Sequence, residues 1–371
     1  MLMEADGQQG TELGSVSVGI DGEDEDVAAE RRTVGRVSET GDSEHVIIVR
    51  GLRKVFPSTG GYPKKVAVKD LYMTVRKGEV FGLLGPNGAG KTTAVNMLVG
   101  YTTPTSGSAL VGGLNIRKSM HLIYDMMGVC PQQNLLWDTL TAAEHLEFYG
   151  RLKGLSGDGL KTAVVAALKS VRLFGGDTGK KLVKAYSGGM RRRLSVAISL
   201  IGDPSVAYLD EPSTGLDIAA RRNLWNTVKR AREGKAIILT THSMQEAEVL
   251  CDRVGFIVNG SLVAIGNPRS LISRHGGYLI FTLTTTKACI NTAKEQVSQK
   301  LTRNARLAYE VSRTLIFELP TAEVKISEVF FFAENVKSQI QVIDWAVTSA
   351  TLEQVFMKVV AKAGITAEAL H

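Results

Sequence analysis

The alternation of apolar and polar positions divides this chain into three regions. Residues 1–44 hold almost no large apolar side chain and are rich in Gly, Glu and Asp. Such a segment buries too little surface to offset the entropy of ordering, so it is expected to be a disordered linker. Within it, Asp24 to Arg32 could form a helical turn or two. From Val46 the pattern turns to strands, at 46–49, 66–75 and 80–84. A loop at 56–61 separates the first two, and a turn at 103–107 and a short strand pair at 108–116 come later. A strand ends at Pro131, a helical stretch covers 141–173, and Thr141 with Glu144 has the spacing of a capping box. Leu194, Ile198 and Ile201 recur at helical spacing after Gly189. The strand at 206–211, helix at 218–232, strand at 236–239, helix at 243–250 and strands near 253–265 complete an α/β pattern with parallel crossovers. After Gly276-Gly277 the order is strand 278–284, helix 287–301, strands 305–311 and 314–319, helix 325–338 and strand 341–347. That β-α-β-β-α-β order predicts a small ferredoxin-like α+β domain over 276–371, with a last helix at 351–362.

The candidate chemistry starts at Gly85-Pro86-Asn87-Gly88-Ala89-Gly90-Lys91-Thr92-Thr93, between the apolar run 80–84 and the apolar stretch 94–99. A Gly-rich turn between a buried strand and a helix converges backbone N–H groups on one point, and the helix N-terminus adds its positive end. Lys91 is placed to reach the β- and γ-phosphates of a nucleotide, and the Thr92 hydroxyl to ligate Mg²⁺. Asp210 and Glu211 end an apolar strand, which suits a division of labour between holding Mg²⁺ and polarising an attacking water.

Composition narrows the remaining choices. The apolar fraction of 44% is that of a globular protein, and no apolar run approaches the ~20 residues of a membrane span. The polar, acidic start does not read as a secretory signal. Cys130, Cys251 and Cys289 lack metal-site spacing and fit thiols in a reducing compartment. The net charge of +7 divides into −9 over residues 1–44 and +16 over the remainder. Apart from Lys180-Lys181, Arg191-Arg192-Arg193 and Arg221-Arg222 the basic residues are scattered without aromatic interleaving, so they read as solvated faces and no nucleic-acid partner is expected.

Taken in order, these motifs resemble the nucleotide-binding domain of ATP-binding cassette (ABC) transporters over residues 46–275. The loop 85–93 matches Walker A, Asp210 and Glu211 match Walker B and the catalytic glutamate, and Tyr186-Ser187-Gly188-Gly189-Met190 resembles the signature sequence. Gln132 stands at the Q-loop, Ser213 to Asp217 at the D-loop and His242 at the H-loop. The resemblance implies a P-loop ABC-type ATPase fold with a helical subdomain, with ATP and Mg²⁺ as its ligands. It gives Glu211, His242 and Gln132 catalytic roles, Thr92, Gln132 and Asp210 the metal, and Phe56 the adenine, with Tyr62 as rival. It further implies a head-to-tail dimer in which Ser187, Gly188 and Gly189 of one copy close on the nucleotide of the other, with Asp217 in the D-loop between them. The surface around Asn134 to Asp138 would receive a transmembrane partner; Trp137 fits that role or a core position equally. Tyr186 and Met190 depart from the Leu and Gln, and Ile218 from the Pro, of most members, but every hydrolytic group is kept.

A finer resemblance is to subfamily A, lipid-exporter-like and closest to its plant-type members. It rests on the signature with residues 194–204, on Leu239 to Glu248 around His242, and on Thr351-Leu352-Glu353-Gln354-Val355-Phe356, which is similar to that branch's C-terminal regulatory domain. Glu25-Asp26-Val27-x-x-Glu30-Arg31 is similar to its linker from the last membrane span. This implies an ATPase domain on the cytoplasmic face of a membrane, powering transport of lipids with transmembrane domains in the same chain or a separate subunit. The alternative is a soluble ABC ATPase or a regulatory ATP-binding module not coupled to transport.

Overall fold

The computed structural model of the chain describes residues 24–40, 43–58, 63–337 and 339–363. Helix α1 (Glu25–Thr40) precedes strands β1 (His45–Phe56), β2 (Lys65–Arg76) and β3 (Val80–Leu84), and helix α2 (Lys91–Leu98) follows. Strands β4 (Ser106–Val111) and β5 (Leu114–Asn115), helix α3 (Met120–Met126) and strand β6 (Met127–Cys130) lead to helices α4 (Ala142–Leu152) and α5 (Gly157–Ser170). Next come α6 (Gly188–Leu200), β7 (Val206–Asp210), α7 (Ile218–Ala231), β8 (Ala236–Thr241), α8 (Met244–Leu250), β9 (Arg253–Val258) and β10 (Ser261–Gly266). The last third holds α9 (Pro268–Gly276), β11 (Tyr278–Thr284), α10 (Ile290–Lys300), β12 (Arg306–Val311), β13 (Thr314–Pro320), α11 (Ile326–Val336), β14 (Asp344–Ser349) and α12 (Leu352–Lys362).

The central sheet has six strands in the order β10-β9-β3-β8-β7-β6. All neighbours from β9 to β6 run parallel, and β10 is antiparallel to β9. Every residue of β3, β7 and β8 is buried, which is why these strands read as continuous apolar runs rather than as alternation. Their side chains divide between two cores: Phe81, Leu83, Tyr208 and Ile238 on one face, and Val80, Leu84, Leu209 and Leu239 on the other. The parallel register brings the carboxyl ends of β3, β7 and β8 to one edge, where ligands of open α/β sheets bind. An antiparallel sheet, β2-β1-β4-β5, packs on the first of these cores. Helices α4, α5 and α6 share a separate core of Leu146, Leu160, Val164, Leu168, Leu194 and Ile201. The capping box opening α4 is present, with Thr141 N donating to Glu144 Oε2 (2.7 Å) and Glu144 N to Thr141 Oγ1 (3.2 Å).

The chain departs from the sequence expectations in three places. Residues 25–40, expected to be disordered, form α1, which lies on β1, β2 and β10. Val27, Val34 and Val37 point inward on one stripe together with Glu30. The Glu30 carboxylate accepts from Thr74 N and Oγ1 (2.7 Å each) and pairs with Arg253 (2.5 Å), whose other nitrogen faces Glu79 (3.3 Å). Residues 1–23 of the expected linker lie outside the described residues.

The second departure concerns α12, which does not pack within the small C-terminal unit. Leu352, Val355, Phe356, Val359 and Val360 are buried in the same core as Val80, Leu84 and Phe256, and the Phe356 ring meets Phe256 edge-on at 5.1 Å. The unit itself is an antiparallel sheet in the order β12-β13-β11-β14, built by β-α-β-β-α-β connections around Phe281, Phe317 and Phe332. Third, its last strand begins at Asp344 instead of 341. Gln341 has a left-handed φ of 46°, and Val342 N bonds back to Lys337 O (3.1 Å), so 339–341 lie in a turn.

Candidate functional site

The loop after β3 has the backbone that its glycines permit. Gly88 and Gly90 adopt φ of 78° and 108°, in the region where side chains are strained. A Cβ on Gly90 would lie 2.3 Å from Ala67 O, and one on Gly85 2.2 Å from Ile257 O. These two glycines are therefore required by packing against β2 and β9 as well as by access of a ligand. Ala89 O accepts from Gly260 N (2.9 Å), which ties the loop to the β9–β10 turn.

Lys91 is buried, and its Nζ donates to Gly85 O (2.7 Å) and Pro86 O (3.1 Å), curling over the loop it terminates. Burial holds its pKa below the ordinary lysine value, and the nearby Glu211 and Asp210 carboxylates oppose that shift. One cleft is lined by Phe56, residues 87–93, Gln132 and Glu211, with Lys65 and Ala67 of β2. Phe56 ends β1 half-exposed, with Lys54 Nζ 5.0 Å above its ring. Tyr62, the rival for that role, lies outside the described residues.

Asp210 and Glu211 are both buried at the end of β7. Asp210 Oδ1 accepts from Thr240 Oγ1 and faces Thr92 Oγ1 at 3.4 Å. Glu211 takes a left-handed φ of 49°, a strained value for a non-glycine residue. Its N–H is held by Thr240, with O at 3.0 Å and Oγ1 at 3.1 Å. One oxygen of its side chain, Oε2, accepts from Thr214 Oγ1 (3.2 Å) and meets Gln132 Nε2 at 3.5 Å. The other, Oε1, lies 3.4 Å from His242 Nδ1. Thus Gln132, His242, Lys91, Thr92, Asp210 and Glu211, separated by up to 151 positions, converge on one edge of the sheet.

A hard divalent cation such as Mg²⁺ fits this donor set. Thr92 and Asp210 present a hydroxyl and a carboxylate side by side, Gln132 adds an amide oxygen nearby, and Mg²⁺ takes its other ligands from water and phosphate oxygens. Among the described residues there is no cluster of three or more His, Cys, Asp or Glu that would suit a softer or all-protein site.

The signature residues are not in this cleft. Ser187 N-caps α6, accepting from Met190 N (3.3 Å), and Ser187 and Gly188 are exposed at the helix start. Tyr186 is buried, and its hydroxyl donates to Thr178 O (2.6 Å), a contact unavailable to leucine. Asp217 is likewise exposed and caps α7 through Ala220 N (2.8 Å). Trp137 is 45% exposed and so not a core residue. Its ring stacks on the buried His145 at 5.5 Å, and its backbone N–H donates to His145 Nε2 (2.9 Å).

Sequence reasoning missed one buried residue of this region. Arg192, read as part of a solvated run, is 3% exposed. Its Nε donates to Pro212 O (3.1 Å), and Nη1 to Pro131 O (2.6 Å), Gln132 O (3.2 Å) and Asn134 Oδ1 (3.3 Å). Nη2 donates to Asp210 O. The signal was the helical spacing: Arg192, Ser195, Val196 and Ser199 fall on one buried stripe of α6. Its neighbours are also engaged, Arg191 with Asp138 (2.9 Å) and Arg193 with Val171 O (2.9 Å).

Comparison with known proteins agrees with this geometry. Residues 68–214 match the family model described as ABC transporter. ABC transporter A family member 12 of Arabidopsis thaliana is 52% identical over 347 residues, 94% of this chain and 38% of that protein. Member 10 of the same family and organism is 51% identical over 345 residues, 93% of this chain and 38% of that protein. The chain thus spans less than two fifths of the length of these relatives. Among solved structures, an ATP-binding subunit of an ABC transporter superposes with a TM-score of 0.56 at 26% identity, over 62% of this chain and 93% of that one. A dimeric ATP-binding cassette in a post-hydrolysis state with ADP and Pi gives 0.55 at 22% identity, over 60% and 98%, which bears on the fold alone.

Fold and site together define a P-loop ATPase domain of the ATP-binding cassette kind. The chain belongs to the ABC transporter family and is a nucleotide-binding domain of its A subfamily.

Proposed function

We propose that this chain binds ATP with Mg²⁺ and hydrolyses it as one half of a head-to-tail dimer, driving transport through a membrane-spanning partner. The observation that carries this reading is the placement of the Glu211 carboxylate between Gln132 and His242, at the mouth of the cleft formed by the Lys91 loop.

Lys91 and the N–H groups of 87–92 bind the phosphates, and Thr92, Gln132 and Asp210 would hold the metal. Bound there, Mg²⁺ would neutralise charge on the phosphate oxygens. Glu211 orients a water toward the γ-phosphorus and takes its proton as the new P–O bond forms and the bond to the β-phosphate oxygen breaks, leaving ADP and phosphate. His242 and Thr214 keep that carboxylate aimed. Ser187, Gly188 and Gly189, at the N-terminus of α6, complete the cage around the other copy's γ-phosphate, and Asp217 lies in the D-loop between the two sites. Asp138 and Trp137, on the exposed face after Gln132, receive the membrane partner, and the domain works at the cytoplasmic face of that membrane. The subfamily resemblance makes lipid the proposed cargo class.

The dimer is tested by sizing the Glu211→Gln variant with each nucleotide. It is expected to double in mass with ATP and to stay monomeric with ADP. Adding Ser187→Arg should prevent doubling without preventing ATP binding. A mass independent of nucleotide would refute the composite site.

A further inference from the structure

Arg192 stands in α6 five residues after Ser187, roughly 7–8 Å along the helix axis. Its five acceptors are all carbonyl oxygens, and they come from two separate segments. Pro131, Gln132 and Asn134 belong to the loop that carries the amide facing Glu211. Asp210 and Pro212 are the residues immediately before and after Glu211. One planar guanidinium therefore grips the backbone on both sides of Glu211 and the backbone of Gln132 itself. Asn134 Oδ1 also accepts from Ser195 Oγ (3.1 Å), one turn further along α6, so the loop follows this helix at two points. An arginine fork with fixed donor directions cannot move without carrying these carbonyls along or breaking several hydrogen bonds at a buried site.

We propose that Arg192 is a positioning residue that couples the partner copy's nucleotide, contacted at Ser187, Gly188 and Gly189, to the placement of Glu211 and Gln132 in its own chain's site. This rests on the dimeric reading above and deepens it. Closing the signature end of α6 onto the partner's phosphate shifts Arg192, and the shift is delivered to the base and to the metal-side loop. Each copy then hydrolyses fastest when the other holds ATP.

The test is phosphate release as a function of ATP concentration for the full chain, for Arg192→Lys and for Asn134→Ala. Lysine keeps the charge but not the fork. The parent is expected to show a Hill coefficient approaching 2, the number of sites. Arg192→Lys is expected to lower it toward 1 and to reduce kcat about tenfold or more, with KM within about threefold. Asn134→Ala removes one acceptor and leaves the other four, so it is the variant that reports if Arg192→Lys fails to fold. It is expected to lower the Hill coefficient while its thermal midpoint stays within about 3 °C of the parent. A folded Arg192→Lys, or in its absence Asn134→Ala, with the parent's Hill coefficient and kcat overturns the proposal. So does a loss of activity that disappears on cooling in step with recovered folding, since that is a purely structural effect. A parent chain that does not hydrolyse ATP at all overturns the functional reading itself and this coupling with it.

Discussion

Glu211 Oε1 lies 3.4 Å from His242 Nδ1, although Glu211 follows strand β7 and His242 follows strand β8. The pairing is a consequence of sheet register: β7 and β8 run in parallel with Asp210 opposite Thr240, so the residues beyond them emerge side by side. His242 is largely exposed and the Glu211 carboxylate is not, so the histidine closes the open side of a buried carboxylate. We expect His242→Ala to lower kcat by roughly 100-fold, within the range for a group that assists proton transfer. ATP affinity should change little, because the Lys91 loop is untouched. Phosphate-release kinetics beside a nucleotide-binding titration separate the two effects.

The burial of Lys91 carries a cost in stability. Burial holds its pKa below the ordinary 10.5, more than Glu211 and Asp210 can offset. A lysine with a depressed folded value binds fewer protons folded than unfolded, so its penalty is full below the folded pKa and fades as pH rises toward the unfolded one. Lys91→Met removes that penalty while keeping the apolar stem. The nucleotide-free variant is expected to be at least as stable as the parent at pH 7, and to lose the parent's gain in stability toward alkaline pH. ATP affinity should fall by about 2–3 kcal/mol, roughly 30- to 150-fold. Urea melts at several pH values and a binding titration check both halves.

Helix α1 is anchored by one buried carboxylate. Glu30 satisfies the N–H and hydroxyl of Thr74 and pairs with Arg253, which also faces Glu79. The Glu79 carboxyl is itself pushed upward in pKa by burial, against the pull of Arg253. Glu30→Ala removes the acceptor of both Thr74 donors and of Arg253 Nη2, while Arg253 Nη1 keeps Glu79. We expect a loss of about 2–3 kcal/mol in urea unfolding. A change below about 0.5 kcal/mol, the level of a surface substitution, would mean that α1 is not an integral part of the domain.

What could be read from the sequence is what depends on neighbouring residues. The Lys91 loop is contiguous, and its glycines, its preceding buried strand and its following helix all lie within twenty positions. Asp210 and Glu211 were legible because a fully buried parallel strand is a continuous apolar run that ends on them. The unread parts depend on partners far away in the chain. Helix α1 looks disordered by composition, since three valines and a carboxylate suffice only when Thr74 and Arg253 meet them. Arg192 looked solvated because its five acceptors lie 18 to 61 positions away. Likewise, the pattern of α12 shows a buried face but not that Phe256, a hundred residues earlier, is what it covers.

Glu211 is the proposed base of ATP hydrolysis. The most direct measurement is steady-state phosphate release at saturating ATP by the parent chain and by Glu211→Gln, with ATP affinity measured alongside. The amide keeps the shape and the contacts to Thr214 and His242 but cannot accept the proton. The expected result is a fall in kcat of about 100-fold or more with affinity within about threefold, the signature of a group that acts in the transition state. Equal rates for the two proteins would contradict it.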